Sequence, residues 1–580
     1  MRVDSFRYPA FLLAFFLFAL TGIAAGQTPG TGAISGMVYD PIGNLISNAE
    51  VLTANEATHV SRSVRTTPEG MFRVQLLPPG SYLVTVNAPG FASFQSQSIS
   101  VTVSETSRLD VMLAVAGATA SVRVEANMQT AQLENSTLGT LVDETAIGAL
   151  PLSNRNFTQI LGLAPGVVVD LPSATALGHG TQNVASNGST PTDNNIQFNG
   201  IDANNLQENS AADSESSLVG TAIPAPDSIE EFRVQTANFD AAYGRGAGAK
   251  VDLVSKSGTN NLHGSAWEFV RNNIFNANDF FSKLDGQPRA DMKQNEFGAS
   301  AGGPIKRDRT FFFVAYQGLT DVNGLGTETH PVLPMLTADR SATTLGAQFC
   351  PAGHLDSMGQ PATGYLTQAG GTQVACDGSN INPVALAILN AKLPGGQFAV
   401  PSPQAALPIG GTDPSDQFPQ GESTFASPAH YREDQFTADI DHKLSQKNAL
   451  AGRFFYSRQP ETLPFSPNGA ANLPGWGTNE LGRNTMFVLA DTHSFNSNLV
   501  NIAPFGYMRF DGTSAVANPL TAQSAGEGTP TGVVGLGANI PGLAINNFAF
   551  SIGDAGNPSQ WQVTNSFTWQ DSPWPRSRKW

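Results

Sequence analysis

The stretch PDSIEEFRVQTANFDAAYGRGAGAKVDLVSKSGTNNLHGSAWEF, Pro226 to Phe269, changes character halfway along. Its first half reads as part of a compact domain: an acidic turn, a short strand Glu231–Gln235, then the glycine run Gly244, Gly246, Gly248. In its second half Trp267 and Phe269 alternate with Glu268, and segments of that period continue towards the end of the chain. The stretch is therefore expected to join a compact domain to a membrane β-barrel.

Downstream of it the period-2 pattern recurs between turns. In Trp561–Trp569 the odd positions Trp561, Val563, Phe567 and Trp569 are apolar, with Asn565 the exception, and the even positions are polar. Phe436, Ala438 and Ile440 alternate with Gln435, Thr437, Asp439 and Asp441. Apolar-out, polar-in alternation with aromatics at the ends is the pattern of a barrel strand in lipid. Further strands are expected at Leu262–Val270, Asn295–Gly303, Thr310–Leu319, Ala449–Arg458, Thr485–Ser494 and Leu499–Phe510. The Gly/Pro/Asn-rich connections Leu333–Ser427 and Asp511–Asn547 read as extracellular loops, and His442–Lys447 as a periplasmic turn. Large outer-membrane transporters have about 22 strands, so roughly eight to ten suggest less than half a barrel. The last ten residues break the alternation, and a truncated or frame-shifted product is expected.

Upstream, Arg2 and Arg7 precede the ten-residue apolar run Phe11–Leu20 and the small residues Ala24-Ala25-Gly26. The run is too short to span a bilayer and reads as a secretory signal, residues 1–26, with the mature chain starting near Gln27. Residues 30–116 hold seven strand-like runs, Ala33–Tyr39, Glu50–Ala54, Ser61–Thr66, Phe72–Leu76, Tyr82–Val86, Ile99–Val103 and Leu109–Leu113. Turn clusters such as Asp40–Asn44, Pro68–Gly70 and Pro78–Gly80 separate them, which predicts a small β-sandwich. Composition agrees: 58 Gly, 35 Phe and only 13% charged residues suit sandwiches and barrels, and the length of 580 residues suggests about three to four domains. A formal net charge of −16 argues against a nucleic-acid partner. Cys350 and Cys376 fit no zinc spacing; in an oxidising compartment they could close one loop, or stay unpaired.

Between sandwich and barrel lie Leu150-Pro151-Leu152-Ser153-Asn154-Arg155-Asn156-Phe157, Leu163-Ala164-Pro165-Gly166-Val167 and Ile196-Gln197-Phe198-Asn199-Gly200-Ile201-Asp202. Ile229-Glu230-Glu231-Phe232-Arg233-Val234, Ala242-Tyr243-Gly244-Arg245 and Val254-Ser255-Lys256-Ser257-Gly258-Thr259 follow. In that order these segments resemble the plug of TonB-dependent outer-membrane receptors. The closest likeness is to the Oar-like group, in which a carboxypeptidase-regulatory-like domain precedes the plug. Leu77–Val86 resembles the signature of that domain, a prealbumin-like fold grouped with carbohydrate-binding-like folds. The resemblance implies a mainly β architecture: signal peptide 1–26, sandwich 30–116, linker 117–127, α+β plug 128–258 and partial barrel 259–580. A short helix is expected at Thr140–Ala149. The position of Ala120–Ala126 is that of the family's coupling box, so Val122, Arg123, Val124 and Glu125 are the candidates to contact TonB. A strand with Val122 and Val124 on one face can add to a partner's sheet edge. Tyr243, Gly244, Arg245, Gly246 and Gly248 are candidates for the plug–barrel junction, the glycines permitting close packing against the wall.

Catalytic signals fail on context. Gly298-Ala299-Ser300-Ala301-Gly302 matches a nucleophile elbow but lies in an alternating strand. Gly244–Lys250 lacks the spacing of a phosphate loop, no histidines pair at i, i+4, and Asp193, Asp202 and Asn204 do not follow a calcium-loop spacing. No catalytic, metal or cofactor site is assigned. The resemblance implies a receptor in the outer membrane of a Gram-negative bacterium, its N-terminal domain periplasmic. Its partners would be outer-membrane lipid, a TonB-type energy-coupling protein of the inner membrane, and an extracellular ligand of the oligosaccharide or peptide class. The competing reading is a surface adhesion or carbohydrate-binding protein acting through the sandwich.

Overall fold

The computed structural model describes residues 30–116, 137–149, 152, 155–170, 175–179, 184–204, 224–239, 244, 246–278, 280–284, 288–350, 374–407, 420–465, 472–496, 499–517, 543–544, 551–552 and 559–569. The fold is mainly β, as expected. The signal segment and Ala120–Ala126 lie outside the described residues, as do Tyr243 and Arg245.

The sandwich is built from two sheets. In one, Gly32–Tyr39 pairs with Met71–Leu77 and, in parallel, with Thr106–Arg108 and Val111–Met112. In the other, Ser61–Arg65, Glu50–Asn55 and Gly80–Asn87 run side by side, and Gly80–Asn87 also takes Phe94–Gln95 and Ile99–Val101. Alternate residues of both sheets meet in one core, including Ile34, Val38, Val51, Phe72, Val74, Val84, Val86 and Val111. Each such side chain contributes about 1.5–3 kcal/mol on burial. The turn at Asp40 closes on itself: its carboxylate accepts the amides of Ile42 and Asn44 at 3.0 and 2.8 Å.

The plug holds a five-stranded sheet in the order Leu138–Asp143, Ile229–Ala237, Lys250–Ser255, Asn195–Phe198, Ile201–Asp202. The helix expected over Thr140–Ala149 is only Glu144–Ala149; Leu138–Asp143 is a strand on Ile229–Ala237. Val142 faces Phe232 there and is buried, so a partner some ninety residues away overrides local helix propensity. Asp143 then caps the helix by accepting the Ala146 amide at 2.8 Å.

Eight antiparallel strands follow in sequence order: His263–Asn272, Met292–Lys306, Thr310–Asn323, Ala429–Ser445, Asn448–Leu463, Thr478–Asn496, Leu499–Val516 and Ser559–Trp569. Every barrel segment expected from the alternation lies at least largely within one of these. Most strands run several residues further than the alternation indicated, to 19 residues in Thr478–Asn496. The apolar band marks only the part in lipid, while the ladder continues beyond it. Among the described residues the first and eighth strands do not pair, so the sheet is open. Asp511–Val516, expected in a loop, extends the seventh strand. Likewise His442–Ser445, expected in a turn, belongs to the fourth.

Short turns at residues 307–309 and 446–447 mark one end of the sheet, and long connections mark the other. The connection read as a loop, Leu333–Ser427, carries structure of its own. Helices Ala342–Phe349 and Pro383–Asn390 share a core with Leu333, Val400, Leu473 and Trp476. Cys350 and Cys376 form a disulfide within it. Trp476 Nε1 donates to the Ala399 carbonyl at 3.1 Å, tying in the neighbouring loop.

Candidate functional site: the plug–barrel seam

The plug lies against the inner face of the barrel wall, and alternation decides what it meets. In the fourth strand Tyr431, Glu433, Gln435, Thr437 and Asp439 point inward and are buried, while Phe436 and Ile440 point outward and are 41% and 51% exposed. The inner wall is acidic: Glu296, Asp321, Glu433, Asp439, Glu461 and Glu480 are all buried. The plug sets Arg155 and His179 against it.

Arg155 stands on the turn after Leu-Pro-Leu-Ser-Asn, with a left-handed φ of 50°. Asn156 fixes that turn, accepting the Thr158 amide at 2.9 Å and donating to the His179 carbonyl at 3.2 Å. Arg155 is thereby directed outward to the wall. It pairs with Asp227 of the plug and, through Nε at 2.9 Å, with Glu296 of the second strand. Its guanidinium lies 4.2 Å from the centroid of the Phe269 ring. Phe269 pairs with Glu296 in register, so the Trp267–Phe269 face of the first strand looks towards the plug. Alternation fixes which residues share a face, not which face meets lipid.

In ladder register with Glu296 through Leu319, Glu433 receives the plug's His179, with Nε2 2.8 Å from Glu433 Oε2. Tyr431 and Gln459 donate to the same carboxylate at 3.1 and 2.9 Å, and Gln435 donates as well. Gln435 in turn accepts the Ala225 amide at 3.0 Å. The Gly178 amide donates to Asp321 at 3.3 Å, and Asn323 to the Ala176 carbonyl at 3.4 Å. Towards the short-turn end Ser255 donates to Asp439, which lies 3.6 Å from Arg453 Nε; Arg453 also pairs with Asp441 at 2.7 Å. Between these polar contacts Phe198 meets Phe455 edge-on, beside Ile196, Ile201, Met486, Val488 and Met508.

The sequence singled out other residues for this junction. Gly246 and Gly248 pack inside the plug instead: a Cβ at Gly246 would lie 1.9 Å from the Asp193 carbonyl oxygen, and one at Gly248 2.6 Å from Asn194 Oδ1. A Cβ at Gly244 would meet nothing within 4 Å. The glycines thus let the strand Lys250–Ser255 approach the 189–194 turn rather than the wall. In that turn Asp193 accepts the Thr190 amide at 3.1 Å, and Asn204 bridges the Ile196 amide and the Asn194 carbonyl at 2.7 Å each. Gly298–Gly302 lies in the second barrel strand. The Arg155 and His179 contacts were missed because their partners lie far along the chain. The inward polar positions Gln435, Thr437 and Asp439 did stand in the alternation; Glu433 lay just before the segment read there.

Three family profiles match in chain order. Residues 33–114 match the carboxypeptidase regulatory-like domain, 134–251 the TonB-dependent receptor plug domain, and 254–573 an outer membrane beta barrel domain. The TonB-dependent transporter Oar of Myxococcus xanthus is 24% identical over 317 residues, which cover 51% of this chain and 28% of that protein. The outer-membrane transporter YddB of Escherichia coli aligns with a TM-score of 0.44 and 11% identity, over 75% of this chain and 45% of its own. A mutant of the ferric enterobactin receptor PfeA of Pseudomonas aeruginosa aligns with a TM-score of 0.38 and 13% identity, over 74% and 44%. The chain thus spans less than half the length of these relatives.

Proposed function

Since the chain belongs to the TonB-dependent outer-membrane receptor family, in its Oar-like form, we propose that it takes up an extracellular ligand through a plug-gated barrel energised by a TonB-type partner. The observation that carries this is the seam. Among the described residues the plug is fastened to the wall by side-chain ion pairs and hydrogen bonds, Arg155–Glu296 and His179–Glu433 among them, and by apolar packing of its core on Phe455, Met486, Val488 and Met508. Among the described residues the plug sheet and the eight-stranded sheet share no ladder, so the plug can shift by breaking side-chain contacts without unfolding the barrel. The ligand class is a polymer fragment or peptide, held between outer loops and plug.

Coupling is assigned to Ala120–Ala126, with Val122, Arg123, Val124 and Glu125 adding as a strand to the partner's sheet. The test is binding of a peptide of residues 116–130 to the C-terminal domain of TonB. Val124→Pro removes a ladder donor and should abolish binding. Absence of binding by the natural peptide, or equal binding by both, overturns the assignment.

A further inference from the structure

Among the described residues the sandwich makes polar contacts at two places of different character, and its strand Met71–Leu77 also comes close to Leu499–Val516. Towards the plug, three consecutive residues meet three side chains on two adjacent plug strands. The Val103 amide donates to the Glu231 carboxylate, Ser104 Oγ to the Asp252 carboxylate, and Glu105 Oε2 accepts from Arg233 Nη1 at 2.8 Å. Glu231, Arg233 and Asp252 are 6%, 3% and 1% exposed and Glu105 keeps 28% of its side chain exposed, so the plug side of these contacts is withdrawn from water. The loop is set before it docks. Ser104 has a φ of 56°, the Ser104 amide donates to the Thr31 carbonyl at 2.8 Å, and Thr102 Oγ1 donates to Glu105 at 2.9 Å. A Cβ at Gly32 would come within 2.3 Å of the Thr102 carbonyl oxygen, so the loop lies directly on the first sandwich strand.

Towards the barrel the polar contacts sit in water. His59 Nδ1 lies 2.9 Å from Asp308 Oδ1, with side chains 66% and 60% exposed. Asn260 Nδ2 donates to the same oxygen at 2.8 Å, and the Asn260 amide to the Ala57 carbonyl at 2.9 Å. An exposed pair contributes about 0–1 kcal/mol. Losing one partner of a buried charged pair costs about 3–5 kcal/mol, because the other is left without water.

We propose that Val103–Glu105 is a clip that seats the sandwich on the polar face of the plug sheet, so that sandwich and plug travel as one body while the exposed contacts to Asp308 and Asn260 give way. In sequence, residues 117–136 join the two clipped bodies. Tension on that segment then moves both together, and the Glu231–Arg233–Asp252 face stays covered. The inference does not depend on what the chain transports or on what pulls it.

The test cuts the covalent link and asks whether the clip holds. A protease site is inserted between Ala116 and Gly117 of the full chain, which carries a C-terminal tag. After cleavage in detergent at high salt, the freed N-terminal fragment is assayed on the tag resin. It should remain bound. Glu105→Gln and Arg233→Glu should each lower retention, the charge reversal by about tenfold or more, the equivalent of 1.4 kcal/mol. The Glu105→Arg/Arg233→Glu exchange should recover it, which separates loss of the clip from loss of the fold. His59→Ala/Asp308→Ala should leave retention unchanged. Release of the unsubstituted fragment on cleavage, or release by the His59/Asp308 pair and not by Arg233→Glu, overturns the proposal.

Discussion

His179 of the plug and Glu433 of the fourth barrel strand meet at 2.8 Å with 4% and 1% of their side chains exposed. The two partners are not equivalent. Glu433 keeps donors from Tyr431, Gln435 and Gln459 if the imidazole is removed. Deleting the carboxylate deprives all four donors at once. His179→Ala should therefore cost about 1–2 kcal/mol and Glu433→Leu about 3–5 kcal/mol. Hydrogen exchange of residues 175–179 and 155–164 is the readout. Equal effects would show that the carboxylate is not the centre of the contact.

The glycine run offers a paired comparison. Gly246→Ala drives a methyl into the Asp193 carbonyl, backbone against backbone, whereas Gly244→Ala enters open space. The first should destabilise the plug by about 1–3 kcal/mol or more and the second by well under 1 kcal/mol. Thermal unfolding of the two variants measures this. Equal tolerance would return the run to the barrel wall.

Burial pushes the Glu231 carboxyl up to about 7 from its ordinary 4.5, with Glu230 and Glu105 adding to the rise and the Val103 amide and Arg233 opposing it. The charged form is thus disfavoured in the folded state. Below pH about 4.5 the group is protonated folded or unfolded, and it costs nothing. As pH rises through about 7 the penalty grows to its full size, on the order of 3 kcal/mol. Folding stability should therefore fall from pH 4.5 to 7. Glu231→Gln, whose carbonyl still accepts the Val103 amide, should flatten that dependence and be the more stable protein at pH 8. Denaturant midpoints across this range decide; an unchanged pH slope in the variant would refute the assignment.

The disulfide Cys350–Cys376 closes a loop of 26 residues within the connection Leu333–Ser427. Closing a loop of that size restricts the unfolded chain by about 3 kcal/mol. Reduction should make the segment around helices Ala342–Phe349 and Pro383–Asn390 sensitive to protease while the eight-stranded sheet stays protected. Limited proteolysis with and without reductant measures it. Cleavage within the barrel strands on reduction would show that the two units are not independent.

Period and punctuation were enough for the elements. Strands such as Glu50–Asn55 and Ala429–Ser445 bury every second residue, and the side-chain period of a strand is read directly from a chain. Six short motifs in order were enough for the family. What the residues could not declare was partnership. Leu138–Asp143 became a strand because Ile229–Ala237 offered it a ladder. Trp267 and Phe269 turned towards the plug because register with Gly298 and Glu296 put them there. Arg155, His179 and Glu433 became a site through contacts to the wall closed over more than a hundred residues, Arg155–Glu296 and His179–Glu433. Alternation is a property of neighbours along the chain and survives in the sequence alone. Which face is inside, and which charge meets which, depends on distances that only the folded chain brings below 4 Å.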